Sequence, residues 1–249
     1  MIKDIEKYNK TACDRDRFIK NMGIDIVVQG TKGNYLFLKT IHSLLVKAES
    51  ILEIGTGTGT VPLWLGSLGR KMICVDFSSN LIKIAKNNCR EFSNVKFKMA
   101  NLNNLPFNKE HFDLVIKRLA PDNFFEINRV LKKEKDFVNF SDCENDGLEI
   151  KKIFKFPKNR TANSIKKELL NHKFSIIFEK EFIYKEKYND FGQFIKMLEI
   201  APLIPDFLDK QCYYEKKLET FFINNNFVLT RHKHLIHAKK KDLKILAYI

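Results

Sequence analysis

Between Ile51 and Phe140 the chain repeats one pattern. Short, almost continuous apolar runs alternate with stretches of helical periodicity. Ile51–Ile54, Lys71–Val75, Val95–Met99, Phe112–Ile116 and Phe137–Phe140 read as strands. Between them, Val61–Leu68, Leu81–Ala85 and Phe125–Leu131 place apolar residues at helical spacing, with Ser78 or Ser79 and Asp122 as candidate N-caps. Strands apolar on both faces, alternating with helices, require a parallel sheet covered on both sides, joined by right-handed crossovers. The expected fold is α/β: a Rossmann-like, mostly parallel seven-stranded sheet with helices on both faces.

The flanks fit one domain over residues 1–249. Residues 1–48 read as helical with one interruption at Gln29–Asn34, and form a candidate N-terminal lid. Residues 49–140 form the core. In residues 141–249 a helix is expected over 161–172, a strand over 174–184, a helix over 213–223 and a strand or hairpin over 227–238. The stretch 188–208 carries Phe191, Phe194, Ile195, Leu198 and Ile200, then Pro202 and Pro205. It reads as an inserted amphipathic helix, either walling an acceptor pocket or packing on the core.

Chemistry is concentrated in Glu53-Ile54-Gly55-Thr56-Gly57-Thr58-Gly59, directly after a strand and before a helix. Glycines there allow a tight turn and let a ligand approach the backbone without meeting a Cβ. A phosphate-binding loop needs a trailing Gly-Lys-Ser/Thr, but Thr60 and Val61 follow. A dinucleotide fingerprint needs glycine where Thr60 stands.

Four pieces in order give a resemblance to the class I S-adenosylmethionine-dependent methyltransferases. They are the glycine loop, Asp76 closing the second strand, Leu105-Pro106-Phe107 with Phe112-Asp113-Leu114-Val115, and Arg129-Val130-Leu131-Lys132. The resemblance covers residues 51–140. It implies S-adenosylmethionine as cofactor, with Glu53, Gly55, Thr56, Gly57 and Gly59 in the loop and Asp76 on the ribose hydroxyls. It also implies Phe77 against adenine, Asn101 and Leu102 at the adenine edge, and Lys117 near the methionine end. Asn101 stands where the family usually has Asp; its amide oxygen still accepts a hydrogen bond. Lys133-Glu134-Lys135 replaces the family's Pro-Gly-Gly turn.

Catalytic residues are not legible. His111 is a candidate base. His232, His234 and His237 alternate along a late strand without forming a metal set, so no metal is expected. Tyr8, Lys32 and Tyr35 are candidate lid contacts. The net charge of +14 keeps an rRNA or tRNA methyltransferase open as an alternative. However, 36 Lys against 8 Arg fits genome bias better than phosphate recognition. A non-catalytic cofactor-binding protein of the same fold is the third reading. The first is methyl transfer to a small-molecule acceptor. Five cysteines without C-x-x-C spacing, no membrane-length apolar run and a polar start point to the cytoplasm.

Overall fold

The apolar runs become the central strands of a sheet. In the computed structural model, which describes residues 26–200, 203–204, 207–226 and 228–242, the elements follow in this order. They are β1 (Ile26–Gln29), α1 (Asn34–Leu45), β2 (Ser50–Ile54), α2 (Thr60–Leu65), β3 (Lys71–Asp76), α3 (Ser79–Asn88), β4 (Val95–Met99) and β5 (Phe112–Arg118). After them come α4 (Phe124–Val130), β6 (Leu131–Asp142), α5 (Leu148–Phe154), α6 (Ala162–Asn171), β7 (Phe174–Tyr188), α7 (Phe191–Ile200), α8 (Gln211–Asn224) and β8 (Val228–Lys240).

The strand order is β1-β7-β8-β6-β5-β2-β3-β4. Among the described residues the sheet has eight strands where the sequence predicts seven. The additional one, β1, lies in a stretch that reads as helical, and it pairs antiparallel with β7 from Ile26↔Tyr188 to Gln29↔Lys185. Its Ile-Val-Val run is β-branched, and such residues favour a pleated surface over a helix. The pairs β2–β3, β2–β5, β3–β4 and β5–β6 are all parallel. The remainder of the expected N-terminal helical lid, with Tyr8, lies outside the described residues, as do Pro202 and Pro205. No described helix is long and apolar enough to cross a membrane.

The described chain groups into two compact units. The larger holds residues 34–141, 163–180 and 234–242; the smaller holds 26–33, 142–162 and 181–233. In the larger unit, Leu114, Val115 and Ile116 of β5 are completely buried, as sequence-continuous apolar strands require. Phe37, Leu38, Ile41 and Leu45 of α1, and Phe124, Ile127 and Val130 of α4, are buried with them. The Phe37 and Phe140 rings lie 5.4 Å apart, and those of Phe137 and Phe174 5.7 Å apart. Each such side chain removed from water stabilises the fold by roughly 1.5–3 kcal/mol.

Two local readings are corrected. The helix begun at residue 60 ends at Leu65 and continues as a 3₁₀ turn over Gly66–Leu68. Asn123, not Asp122, caps α4, its side-chain oxygen accepting from the Glu126 N–H at 3.1 Å. Where Lys133-Glu134-Lys135 replaces a tight turn, β6 runs on through Glu134 at φ 56°, and the β5–β6 register shifts between Phe112↔Leu131 and Leu114↔Asp136. The three residues are absorbed as a bulge.

In the smaller unit, α7 and α8 close a separate apolar cluster. Phe194 and Phe222 have ring centroids 3.8 Å apart. Tyr188, Leu198, Phe207, Leu218 and Leu229 are buried around them. The apolar face of the 188–208 stretch is therefore occupied by its own core.

The Leu-Pro-Phe segment is held by Arg129. Its guanidinium donates to the carbonyls of Leu105 (2.9 Å) and Phe107 (2.8 Å) and pairs with Glu126 at 2.7 Å. Glu126 in turn accepts from the Leu105 N–H at 2.8 Å. Arg129→Leu strands two carbonyls and a buried carboxylate, and should cost about 2–4 kcal/mol. Urea unfolding checks this; an unchanged midpoint would show that the clamp carries no stability.

Candidate functional site

The loops that follow β2, β3, β4 and β5 all leave the same, carboxyl, edge of the larger unit's parallel strands. In the order β5-β2-β3-β4, the chain runs from β2 outward to β4 and then returns to the other side of β2 with β5. Such a reversal leaves a crevice beyond the strand ends, the usual ligand position in open α/β sheets. The predicted residues in Gly55–Gly59, Asp76–Phe77, Asn101–Leu102 and Lys117 all belong to these loops or to the strand ends beside them.

The glycine loop is tied to β3. Gly55 and Thr56 donate their N–H groups to the Val75 carbonyl at 2.9 and 3.0 Å. Gly57 donates to Asp76 Oδ2 at 2.9 Å, while Ser78 donates to Asp76 Oδ1 at 3.0 Å. Asp76 is 7% exposed. Each of its oxygens keeps acceptor capacity after one backbone bond. At Gly57, φ is 54° and an added Cβ would meet nothing within 4 Å. That space is open for a ligand. At Gly55 an added Cβ would stand 2.3 Å from the Ala120 methyl, so the loop after β5 rests directly on this glycine.

Lys117 and Glu53 act from beneath. Lys117 is completely buried, donates to the Ala120 carbonyl at 2.6 Å and pairs with Asp122 at 2.7 Å. It thereby fixes the loop that covers Gly55. Glu53 is 1% exposed and accepts from the Thr56 hydroxyl at 2.6 Å. Burial pushes its carboxyl up to about 7, against the opposing pull of the hydrogen bonds from Thr56 and Cys74.

Facing outward, Phe77 is 79% exposed beside Asp76. The Asn101 side-chain oxygen accepts from the Asn103 N–H at 2.9 Å, shaping the turn that presents Leu102. The single tryptophan, Trp64, is buried on α2, and the Arg118 guanidinium lies 5.2 Å from its ring.

Other candidates are placed elsewhere. His111 precedes β5 at the amino edge of the strands, the far side from the loops, and stacks on Phe107 at 6.3 Å. His237 pairs with Asp136 at 2.8 Å. Tyr35 is half-exposed on the first turn of α1, and Lys32 precedes that helix in the smaller unit. Sequence reading missed Ala120 and the two bonds that Asp76 makes to backbone. Nothing in the sequence marks Ala120, although the glycine it covers does.

A carboxyl whose folded pKa lies above its unfolded value of 4.5 binds its proton more tightly when folded. Its contribution is full below pH 4.5 and is lost as pH rises through about 7. Relative to Glu53→Gln, which mimics the protonated acid, the native chain should lose roughly 3 kcal/mol between pH 4.5 and pH 8. Urea unfolding of both at several pH values checks this; parallel profiles would place the carboxyl in an ordinary, solvated setting.

A family model described as a methyltransferase domain matches residues 45–219. The demethylmenaquinone methyltransferase of Tropheryma whipplei (strain Twist) is 31% identical over 68 residues, 27% of this chain and 28% of that one. The ribosomal protein L11 methyltransferase of Lactobacillus gasseri is 25% identical over 130 residues, 51% of this chain and 41% of that protein. The chain thus spans well under half the length of these curated relatives. The YcgJ protein of Bacillus subtilis shares the fold, with a TM-score of 0.62 at 15% identity over 84% of this chain and 99% of that one. With the family model spanning well over half of its length, and a Rossmann-like sheet of matching fold, this chain belongs to the methyltransferase-domain family.

Proposed function

We propose that the chain, acting as one domain over residues 1–249, transfers a methyl group from S-adenosylmethionine to a small-molecule acceptor. The observation that carries this reading is the open space over Gly57, beside a carboxylate held by two backbone N–H groups and an exposed aromatic ring. The donor set fits a nucleoside. A carboxylate with spare lone pairs suits a cis-diol, and Phe77 offers a flat apolar face.

When bound, S-adenosylmethionine supplies a methyl group activated by its attachment to a sulfonium. The chain's own residues bind and orient. Asp76 would accept from the ribose hydroxyls, Phe77 would lie on adenine, and Leu102 would offer its N–H to the adenine edge beside Asn101. Gly55, Thr56, Gly57 and Gly59 form the wall, with Glu53 holding Thr56 and Lys117 holding Ala120 over Gly55. No residue is assigned as base. Holding reactants in line can itself supply several kcal/mol of the barrier, and a base is needed only for an acceptor that carries a proton.

A small-molecule acceptor is supported by the relative named for demethylmenaquinone. The free thiols of Cys74, Cys89, Cys143 and Cys212 support a reducing compartment such as the cytoplasm.

Calorimetry with S-adenosylhomocysteine tests the cofactor. Asp76→Ala removes charge-assisted bonds and should weaken binding roughly 30-fold or more. Because Asp76 also anchors Gly57, a second variant is needed. Gly57→Ala places a methyl in the open space, should cost about 1 kcal/mol of stability for its positive φ, and should weaken binding far more than that. Absence of binding by the native chain, or full affinity in both variants, would overturn the cofactor assignment. Transfer of labelled methyl into RNA rather than the small-molecule fraction of a cell extract would overturn the acceptor class.

A further inference from the structure

The smaller unit buries several charged side chains, and most are accounted for by one another. On β8, Arg231 and Lys233 lie on one face by strand alternation. Arg231 pairs with Asp146 (3.1 Å) and Glu186 (3.6 Å), and Lys233 pairs with Asp142 and with Asp146 (2.9 Å). His232, on the opposite face, is 2% exposed. Its Nε2 stands 2.7 Å from Glu181 Oε2, and its Nδ1 is buried with no hydrogen-bond partner among the described residues. Cys143, completely buried, is the third member: one donor atom from each of Cys143, Glu181 and His232 lies within 4.8 Å of the other two.

Three neighbouring strands deliver these groups. β7 carries Glu181, β8 carries His232, and Cys143 follows the last residue of β6. Adjacent strands stand about 4.8 Å apart, so side chains at one level of one face meet at this separation. The backbone fixes the level. The Cys143 N–H donates to the His232 carbonyl at 2.8 Å, and the His232 N–H donates to Asp146 Oδ1 at 2.9 Å. Backbone hydrogen bonds thus hold two of the three donors in place before any ligand arrives.

We propose that Cys143, Glu181 and His232 bind a divalent cation of the zinc type and leave one coordination position open. The donor chemistry selects the class. Thiolate, imidazole and carboxylate together suit zinc, whereas magnesium and calcium take all-oxygen sets. Donors around tetrahedral zinc stand ~3.5 Å apart. A modest rotation of side chains closes the cluster and opens the present histidine–carboxylate contact. Binding forms a metal–sulfur bond as Cys143 releases its thiol proton to solvent. The cation's two charges then meet one thiolate and one carboxylate, so the assembly is neutral. The half-exposed Glu181 side chain gives the ion a route from solvent. No sequence spacing marks this set, because its donors come from the ends or interiors of three strands rather than from one.

The full chain, stripped with chelator, is titrated with zinc by calorimetry and with cobalt by absorption spectroscopy. A single equivalent should bind, and cobalt should give a sulfur-to-metal charge-transfer band. Cys143→Ser should abolish the band and weaken zinc binding on the order of 100-fold. Glu181→Gln, a near-isosteric change at a half-exposed position, should weaken it roughly tenfold or more. Cys212→Ser, at an exposed cysteine remote in sequence, should change neither. No stoichiometric binding, a band that survives Cys143→Ser, or full affinity in Glu181→Gln would each overturn the proposal. Glu181→Gln decides alone if Cys143→Ser does not fold.

Discussion

The Asp76 carboxylate is shared between two loops. One oxygen accepts from Gly57 and the other from Ser78, so the turn after β2 and the turn after β3 cannot move independently. The Val75 carbonyl, accepting from both Gly55 and Thr56, adds a backbone tie at the same place. A carboxylate oriented by two backbone donors needs little reorganisation to receive further donors. The lining of the crevice is therefore largely set by the protein before anything enters it.

Support for this arrangement comes from below and from the side. Glu53 is buried deeply enough to favour its neutral form up to about pH 7, and it holds Thr56. Lys117 has given up solvent to fix the loop carrying Ala120. Glu53 thus positions Thr56, and Lys117 positions Ala120 over Gly55. Arg129 does the corresponding work for the Leu105–Phe107 segment.

The sequence made the parallel core legible because both faces of its strands are buried, and Ile51–Ile54 or Leu114–Ile116 can then be almost unbroken apolar runs. The glycine loop and Asp76 were legible because close backbone approach needs a particular residue type at a fixed spacing. What escaped depends on partners far along the chain. β1 has four residues and pairs with a strand some 160 positions later. Asp122 has the residue type of a helix cap, yet its charge is drawn to Lys117 and the cap passes to Asn123. Cys143, Glu181 and His232 are separated by tens of residues and meet only through strand order. The amphipathic 188–208 stretch has a periodicity that fits a pocket wall and a core helix equally well, and only the packing of Phe194 on Phe222 distinguishes them.

Trp64 lies on the helix that opens just after the glycine loop, and the Arg118 cation near its indole comes from the end of β5, at the same crevice. An indole's emission responds to the electric field of a nearby charge. With no second tryptophan to mask it, the molecule carries an intrinsic optical probe beside its glycine loop, readable without labels.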